Sequence, residues 1–118
     1  MPARQLRGPV RGSRTGRPVM VLLDMLGRRW TLRILWELYA TSPLTFRELR
    51  DSCDDMSPSV LNQRLRELRD ARIVHLGEDG FVLTDDGREL MRLFKPVSSW
   101  AKRWGRKGLS VVGPRIAE

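Results

Sequence analysis

Ser59, Asn62, Gln63 and Arg66 fall within eight residues of the stretch SPSVLNQRLRELRDARIV (57–74). A hydroxyl, two amides and a guanidinium are groups that pair with nucleic-acid base edges. An amide presents a donor beside an acceptor, and arginine forks guanine through two N–H groups. Leu61, Leu65 and Leu68 thread the same stretch at i, i+4 and i+7. That spacing gathers the leucines on one helical stripe and leaves the polar side chains, with Asp70 further along, on the other. A solvated helix face is usually dominated by Lys and Glu, and the first half of this one is not. The four residues are therefore candidate base readers; a solvated face without a partner is the competing reading.

Other chemistries find little support. Acid–base and nucleophilic catalysis need a His, Cys or Ser with an orienting partner. The chain has one histidine, His75, and one cysteine, Cys53, with no motif around either. DSCDD (51–55) lacks the glycine and alternating oxygen ligands of a calcium loop, so it reads as a helix ending. GPVRGSRTGR (8–17) has neither the spacing nor the preceding strand of a phosphate-cradling loop. The expectation is no enzyme, no cofactor and no metal. Cys53 is expected to be a small core residue, and His75 to pack at the base of a hairpin.

The chain's 118 residues suffice for one domain with a modest core, and its apolar content of 41% is ordinary. A net charge of +8 and a pI near 11.1 attract polyanions, either nucleic acid or an anionic membrane surface. Only Lys95, Lys102 and Lys107 are lysines; the other cations are arginines, suited to phosphate and guanine, although a GC-rich genome also enriches arginine. No stretch is long and apolar enough to span a bilayer, and no secretory signal is recognisable. A single cysteine fits a reducing cytoplasm, with association to the nucleoid when DNA is bound.

The elements that position the candidate readers follow from start and stop signals. Residues 1–17 carry Arg4, Arg7, Arg11, Arg14 and Arg17 with no acid, and read as a flexible basic arm. Pro18 opens a helix that Gly27 stops. A second helix follows in RRWTLRILWELYA, with Trp30, Ile34, Leu35 and Leu38 on its core stripe. Thr45 and Glu48 form a capping box ahead of a short helix. Ser57 and Pro58 open the leucine-striped helix, which runs to about Ala71. IVHL and FVL read as strands joined by GEDG. Thr84 caps a last helix with Asp85 and Asp86 in its first turn, and Pro96 is expected to kink it. A basic tail covers 106–118. Helix, helix, short helix, turn, helix, hairpin and helix make a winged helix-turn-helix, mainly α with a small β-hairpin.

Several segments resemble the HxlR-type winged helix-turn-helix transcriptional regulators. LGRRWTLRILWEL (26–38) is similar to the family's Gly-x-Lys/Arg-Trp-Thr-Leu-x-Ile-Leu-x-x-Leu. LTFRELRDSCDDMSPSVLNQRLRELRDARIV (44–74) resembles its Phe-x-Glu-Leu followed by Ser-x-x-x-Leu-x-x-Arg-Leu-x-x-Leu. FVLTDDGREL (81–90) and KPVSSWAKRWG (95–105) are similar to its wing end and closing segment. The resemblance spans residues 18–105. It implies a homodimer on a two-fold operator, with the first and last helices as dimerisation helices. Two departures bear on function. Many members carry a cysteine just before the proline of the first helix, and some sense thiol-reactive compounds with it; here Arg17 holds that position. The family's hairpin loop is usually longer and often basic, whereas GEDG is short and acidic.

The expected interfaces are then as follows. Helix 57–71 enters the major groove, with Ser59, Asn62, Gln63 and Arg66 on bases. Thr45, Arg47, Arg50, Ser57 and Arg64 contact phosphate; Thr45 and Ser57 also cap helices, and Arg64 has a structural ion pair as its alternative. The basic arm supplies minor-groove contact in place of the acidic wing. Val21, Leu22, Met25, Phe94, Val97, Trp100 and Trp104 form the dimer interface, since PVMVLLDML is too apolar for a half-solvated helix and aromatics are enriched at interfaces. A bacterial sequence-specific transcriptional regulator is the first reading. A winged-helix protein-interaction module with only non-specific DNA affinity is the second, favoured by the acidic wing and the apolar first helix.

Overall fold

Local signals settle where each element begins. In the computed structural model, which describes residues 17–107, α1 (Pro18–Leu26) starts on its proline and stops at Gly27. The second helix, α2 (Thr31–Ala40), starts three residues later than the sequence suggests. Residues 27–30 instead turn a corner: Arg28 N–H donates to Met25, Thr31 N–H donates to Arg28, and Trp30 adopts a left-handed backbone, φ 78°. Trp30 is thus a half-buried corner residue rather than part of the helix, with the Arg29 guanidinium 5.7 Å from its ring centre. Arg4, Arg7, Arg11 and Arg14 of the arm, and most of the tail, lie outside the described residues.

The capping box forms as spaced. Thr45 Oγ1 accepts from Glu48 N–H at 3.1 Å and Glu48 Oε1 accepts from Thr45 N–H at 2.9 Å, opening α3 (Phe46–Ser52). Asp54 and Asp55 both take left-handed backbone, which aspartate tolerates better than most residues, and make the turn. Ser57 Oγ accepts from Val60 N–H at the start of α4 (Pro58–Asp70). That helix closes on a Schellman arrangement: Ile73 N–H reaches the Leu68 carbonyl, and Arg72, φ 61°, donates to Arg69.

Strands β1 (Val74–Gly77) and β2 (Gly80–Leu83) pair antiparallel, Val74 opposite Leu83 and Gly77 opposite Gly80, so the turn is Glu78–Asp79 alone. Leu44 extends this sheet by one bridge, exchanging both backbone hydrogen bonds with Phe81. The approach is close enough that a Cβ at Gly80 would lie 2.6 Å from the Leu44 carbonyl oxygen, and Gly80 has φ 137°. Only glycine meets both demands. Thr84 Oγ1 accepts from Gly87 N–H and donates to the Arg72 carbonyl, seating α5 (Asp85–Gly105) beside the hairpin. This helix runs unbroken through Pro96.

The core lies where α2 meets α3, β2 and the first half of α5, with α4 closing it from the side. Ile34, Leu35, Leu38, Leu49, Leu61, Leu65, Leu68 and Met91 are fully buried. Beyond Met91, α5 leaves this core. No helix among the described residues is long and apolar enough to cross a membrane.

Candidate nucleic-acid interface

Helix α4 divides cleanly. Leu61, Leu65 and Leu68 are buried, and Ser59, Asn62, Gln63, Arg66, Arg69 and Asp70 are exposed. At 100° per residue the exposed set spreads over the side of the helix away from the leucine stripe. The fold therefore brings all four expected base readers onto one outward face. Ser59 Oγ lies 3.1 Å from Ser57 Oγ, and the Gln63 amide reaches Glu67 at 3.5 Å, a contact too long to hold it firmly. Among the described residues the side chains of Asn62 and Arg66 form no hydrogen bond or ion pair.

The expected phosphate contacts part company. Thr45 and Ser57 are exposed caps at the starts of α3 and α4, and Arg47 is an exposed cation in the first turn of α3. Arg50 turns inward, its Nε donating to the Met56 carbonyl at 2.8 Å and so fastening α3 to the turn before α4. Arg64 is the structural ion pair of its two alternatives. Its Nη1 bridges both carboxylate oxygens of Glu67 at 3.1 and 3.2 Å, and its Nε donates to the Arg29 carbonyl at 3.0 Å. Both side chains are held by partners inside the domain because they flank the buried stripe rather than oppose it.

A feature that sequence reasoning missed adjoins the outward face of α4. Arg66, Arg69, Asp70, Val74 and His75 line an open cleft of about 440 Å³ between α4 and β1. His75 is exposed there and does not pack at the hairpin base, because Val74 and not His75 takes the inward side of the strand. Arg69 stands one turn beyond Arg66 on the same face, and that i+3 spacing was the available signal. The tip beyond the cleft, Glu78 and Asp79, is exposed and acidic.

The apolar positions also sort themselves. Met25 fills the core, and Leu22 and Phe94 pack against it, because α1 lies on α2 and the first half of α5 lies across α2. Val21 is half-buried. Among the described residues the exposed large apolar side chains are Val19 and Leu23 on α1, Leu76 on β1, and Leu93, Val97, Trp100 and Trp104 on α5. Trp100 and Trp104 stack on each other, centroids 5.6 Å apart and planes 14° from parallel.

Cys53 caps the end of α3 with no exposed surface. Burial pushes its thiol up to about 11; the nearby Arg33 guanidinium opposes this, while Glu37 and Asp54 add to it. Among the described residues no group of three His, Cys, Asp or Glu is placed to hold a metal ion.

Comparison with known proteins agrees with this geometry. The family model described as HxlR-like helix-turn-helix matches residues 25–108. The HTH-type transcriptional regulator YodB of Bacillus subtilis is 30% identical over 95 residues, covering 75% of this chain and 84% of YodB. A second regulator from the same organism, YdzF, is 26% identical over 95 residues, covering 75% of this chain and 87% of its own length. The crystal structure of quinone-bound YodB superposes with a TM-score of 0.67 at 28% identity, covering 72% of this chain and 96% of that one. An outward polar face on a capped helix, a hairpin behind it and a family match across most of the chain lead to one conclusion: this chain belongs to the HxlR-like helix-turn-helix family of DNA-binding transcriptional regulators.

Proposed function

We propose that the chain acts as a homodimer on a two-fold operator, each protomer laying α4 in a major groove with Ser59, Asn62, Gln63 and Arg66 on base edges. One observation carries this reading: the four side chains share the single outward face of α4, on the side away from its buried leucines. The N-terminal half of a recognition helix is the part that enters the groove, and three of the four lie there. Arg47, with Thr45 and Ser57 at two helix N-termini, takes phosphates on one side of the groove. Arg69, further along α4, and His75, across the cleft, take the strand on the other side. The arm, residues 1–17, adds sequence-independent attraction. The unit that does this spans 18–105, and half-sites are centred roughly 34 Å apart, or a multiple of that. A regulator without catalysis is supported by the names its relatives carry.

Selection from random duplexes at about 150 mM salt, followed by titration of the winner, tests this. Gln63→Ala and Arg66→Ala are each expected to weaken the selected duplex by about 1–3 kcal/mol at particular base pairs, with scrambled duplex nearly unaffected by Gln63→Ala. An unchanged preference in both variants would show that α4 does not read the sequence. The acidic tip at Glu78 and Asp79 beside the exposed Leu76 favours a second reading, a protein-docking wing. Binding that never selects a motif and vanishes as salt rises would support it.

YodB has been crystallised with a quinone. In this chain Cys53 gives an electrophile little to attack, since it has no exposed surface and burial pushes its thiol up to about 11, far toward the protonated form at pH 7. Diamide or a quinone is expected to leave operator affinity within about twofold, and thiol labelling of the folded protein to run at least a hundredfold slower than in urea. Loss of binding on oxidation in the wild type but not in Cys53→Ser would overturn this.

A further inference from the structure

Glu67 touches the proposed reading residues only through the long 3.5 Å contact with the Gln63 amide, yet it is the most connected side chain on α4. Its carboxylate receives Arg64 from its own helix and Arg28 from the α1–α2 corner, Arg28 Nη1 to Oε2 at 3.1 Å. Arg28 in turn binds Asp24 of α1 at 3.1 Å. Asp24, Arg28, Glu67 and Arg64 form a chain of alternating charge with no net charge. All four are partly shielded from solvent, so the pairs are less screened than isolated surface pairs. Arg64 Nε adds a bond to the Arg29 carbonyl, so two consecutive corner residues are engaged.

The place of this chain on the helix gives it a function. At 100° per residue Arg64 and Glu67 occupy one flank of α4, between the leucine stripe and the reading face, and Gln63 is the reading residue next to that flank. Leucines in a core resist translation of a helix more than small rotation about its own axis. The charged flank resists rotation. At the outer radius of a helix, about 5–6 Å, a 10° rotation moves a side-chain base by about 1 Å. That exceeds the tolerance of a bidentate base contact. We infer that Glu67 is a positioning residue for sequence recognition: through Arg28 it fixes the rotation of α4 against the α1–α2 corner, and so the aim of Gln63 and Arg66. The inference rests on the proposal that α4 reads bases.

The test compares Glu67→Gln, Arg28→Gln, the double variant and Arg28→Lys on the selected duplex and on a scrambled one. The two single variants change net charge in opposite directions, so non-specific affinity is expected to rise in Glu67→Gln and fall in Arg28→Gln. The ratio of selected to scrambled affinity is expected to fall about tenfold in both. The double variant should be no worse than either single one, because both remove the same link, and Arg28→Lys should keep most of the ratio. Melting temperatures should move by only a few degrees. A ratio unchanged in Glu67→Gln overturns the positioning role while leaving base reading intact. A ratio that follows the melting temperature across all four variants also overturns it, by reducing Glu67 to a stability contact. A wild-type protein with no preference for any duplex overturns base reading first and the positioning role with it.

Discussion

Replacing Trp100 and Trp104 together with alanine is expected to leave a folded monomer whose operator affinity is at least a hundredfold weaker. The two indoles are 53% and 37% exposed in the isolated chain and stack on each other rather than on the core. A tryptophan can bury about 150–250 Å², so the pair leaves roughly 200 Å² uncovered per protomer and about 400 Å² in a dimer. At about 25 cal/mol per Å² that is about 10 kcal/mol of gross stabilisation on covering. The cost of association is of the same order, about 4–15 kcal/mol, so removing this area tips the balance. Leu93, Val97, Val19 and Leu23 remain exposed, but as separate aliphatic side chains they lack the stacked aromatic anchor that the two indoles form. The chain's own stability should hardly change, because neither indole touches Met91 or the leucine core. Sedimentation at about 10 µM with a urea melt separates the two effects. A double variant that still sediments as a dimer would place the interface on another face.

The same residues show what the sequence made legible. The apolar count of the last helix exceeded what a small core could absorb, and the structure leaves Val97, Trp100 and Trp104 outside that core. Composition alone did not tell which residues of α1 face inward. Val21, Leu22, Leu23 and Met25 differ little in type, and their division depends on how α1 crosses α2, which is a tertiary quantity. Caps were legible because they are local: Thr45, Ser57 and Thr84 each act on an N–H three residues on. The corner at 27–30 was not, since Trp30 looks like a helix residue and becomes left-handed only because the chain must reverse there. Arg50, Arg64, Arg66 and Arg69 are indistinguishable as residue types. Two are held inward by carbonyls at Met56 and Arg29, and such acceptors have no signature in sequence.

The largest stability effect is expected at Gly87. Inside a helix, alanine is normally better than glycine by about 1 kcal/mol. Here the added Cβ would overlap the Ile73 carbonyl oxygen, and that oxygen is not free to retreat. It accepts from Thr84 N–H at 3.0 Å and lies 3.2 Å from Thr84 Oγ1, while Thr84 Oγ1 also caps the first turn of α5. Relief therefore means moving α5 away from the hairpin or breaking the cap. Either costs more than the propensity gain returns, and Gly87→Ala is expected to destabilise by about 3 kcal/mol or more. Gly105, at the other end of the same helix, has no described atom outside its own helix backbone and chain neighbours within 4 Å of its would-be Cβ. Gly105→Ala should then be neutral or stabilise by up to about 1 kcal/mol. Urea denaturation of the two variants side by side isolates the close approach from helix propensity. Equal stability of Gly87→Ala and wild type would mean that α5 can slide on the wing at little cost, and the angle between the apolar half of α5 and α4 would no longer be fixed by this contact.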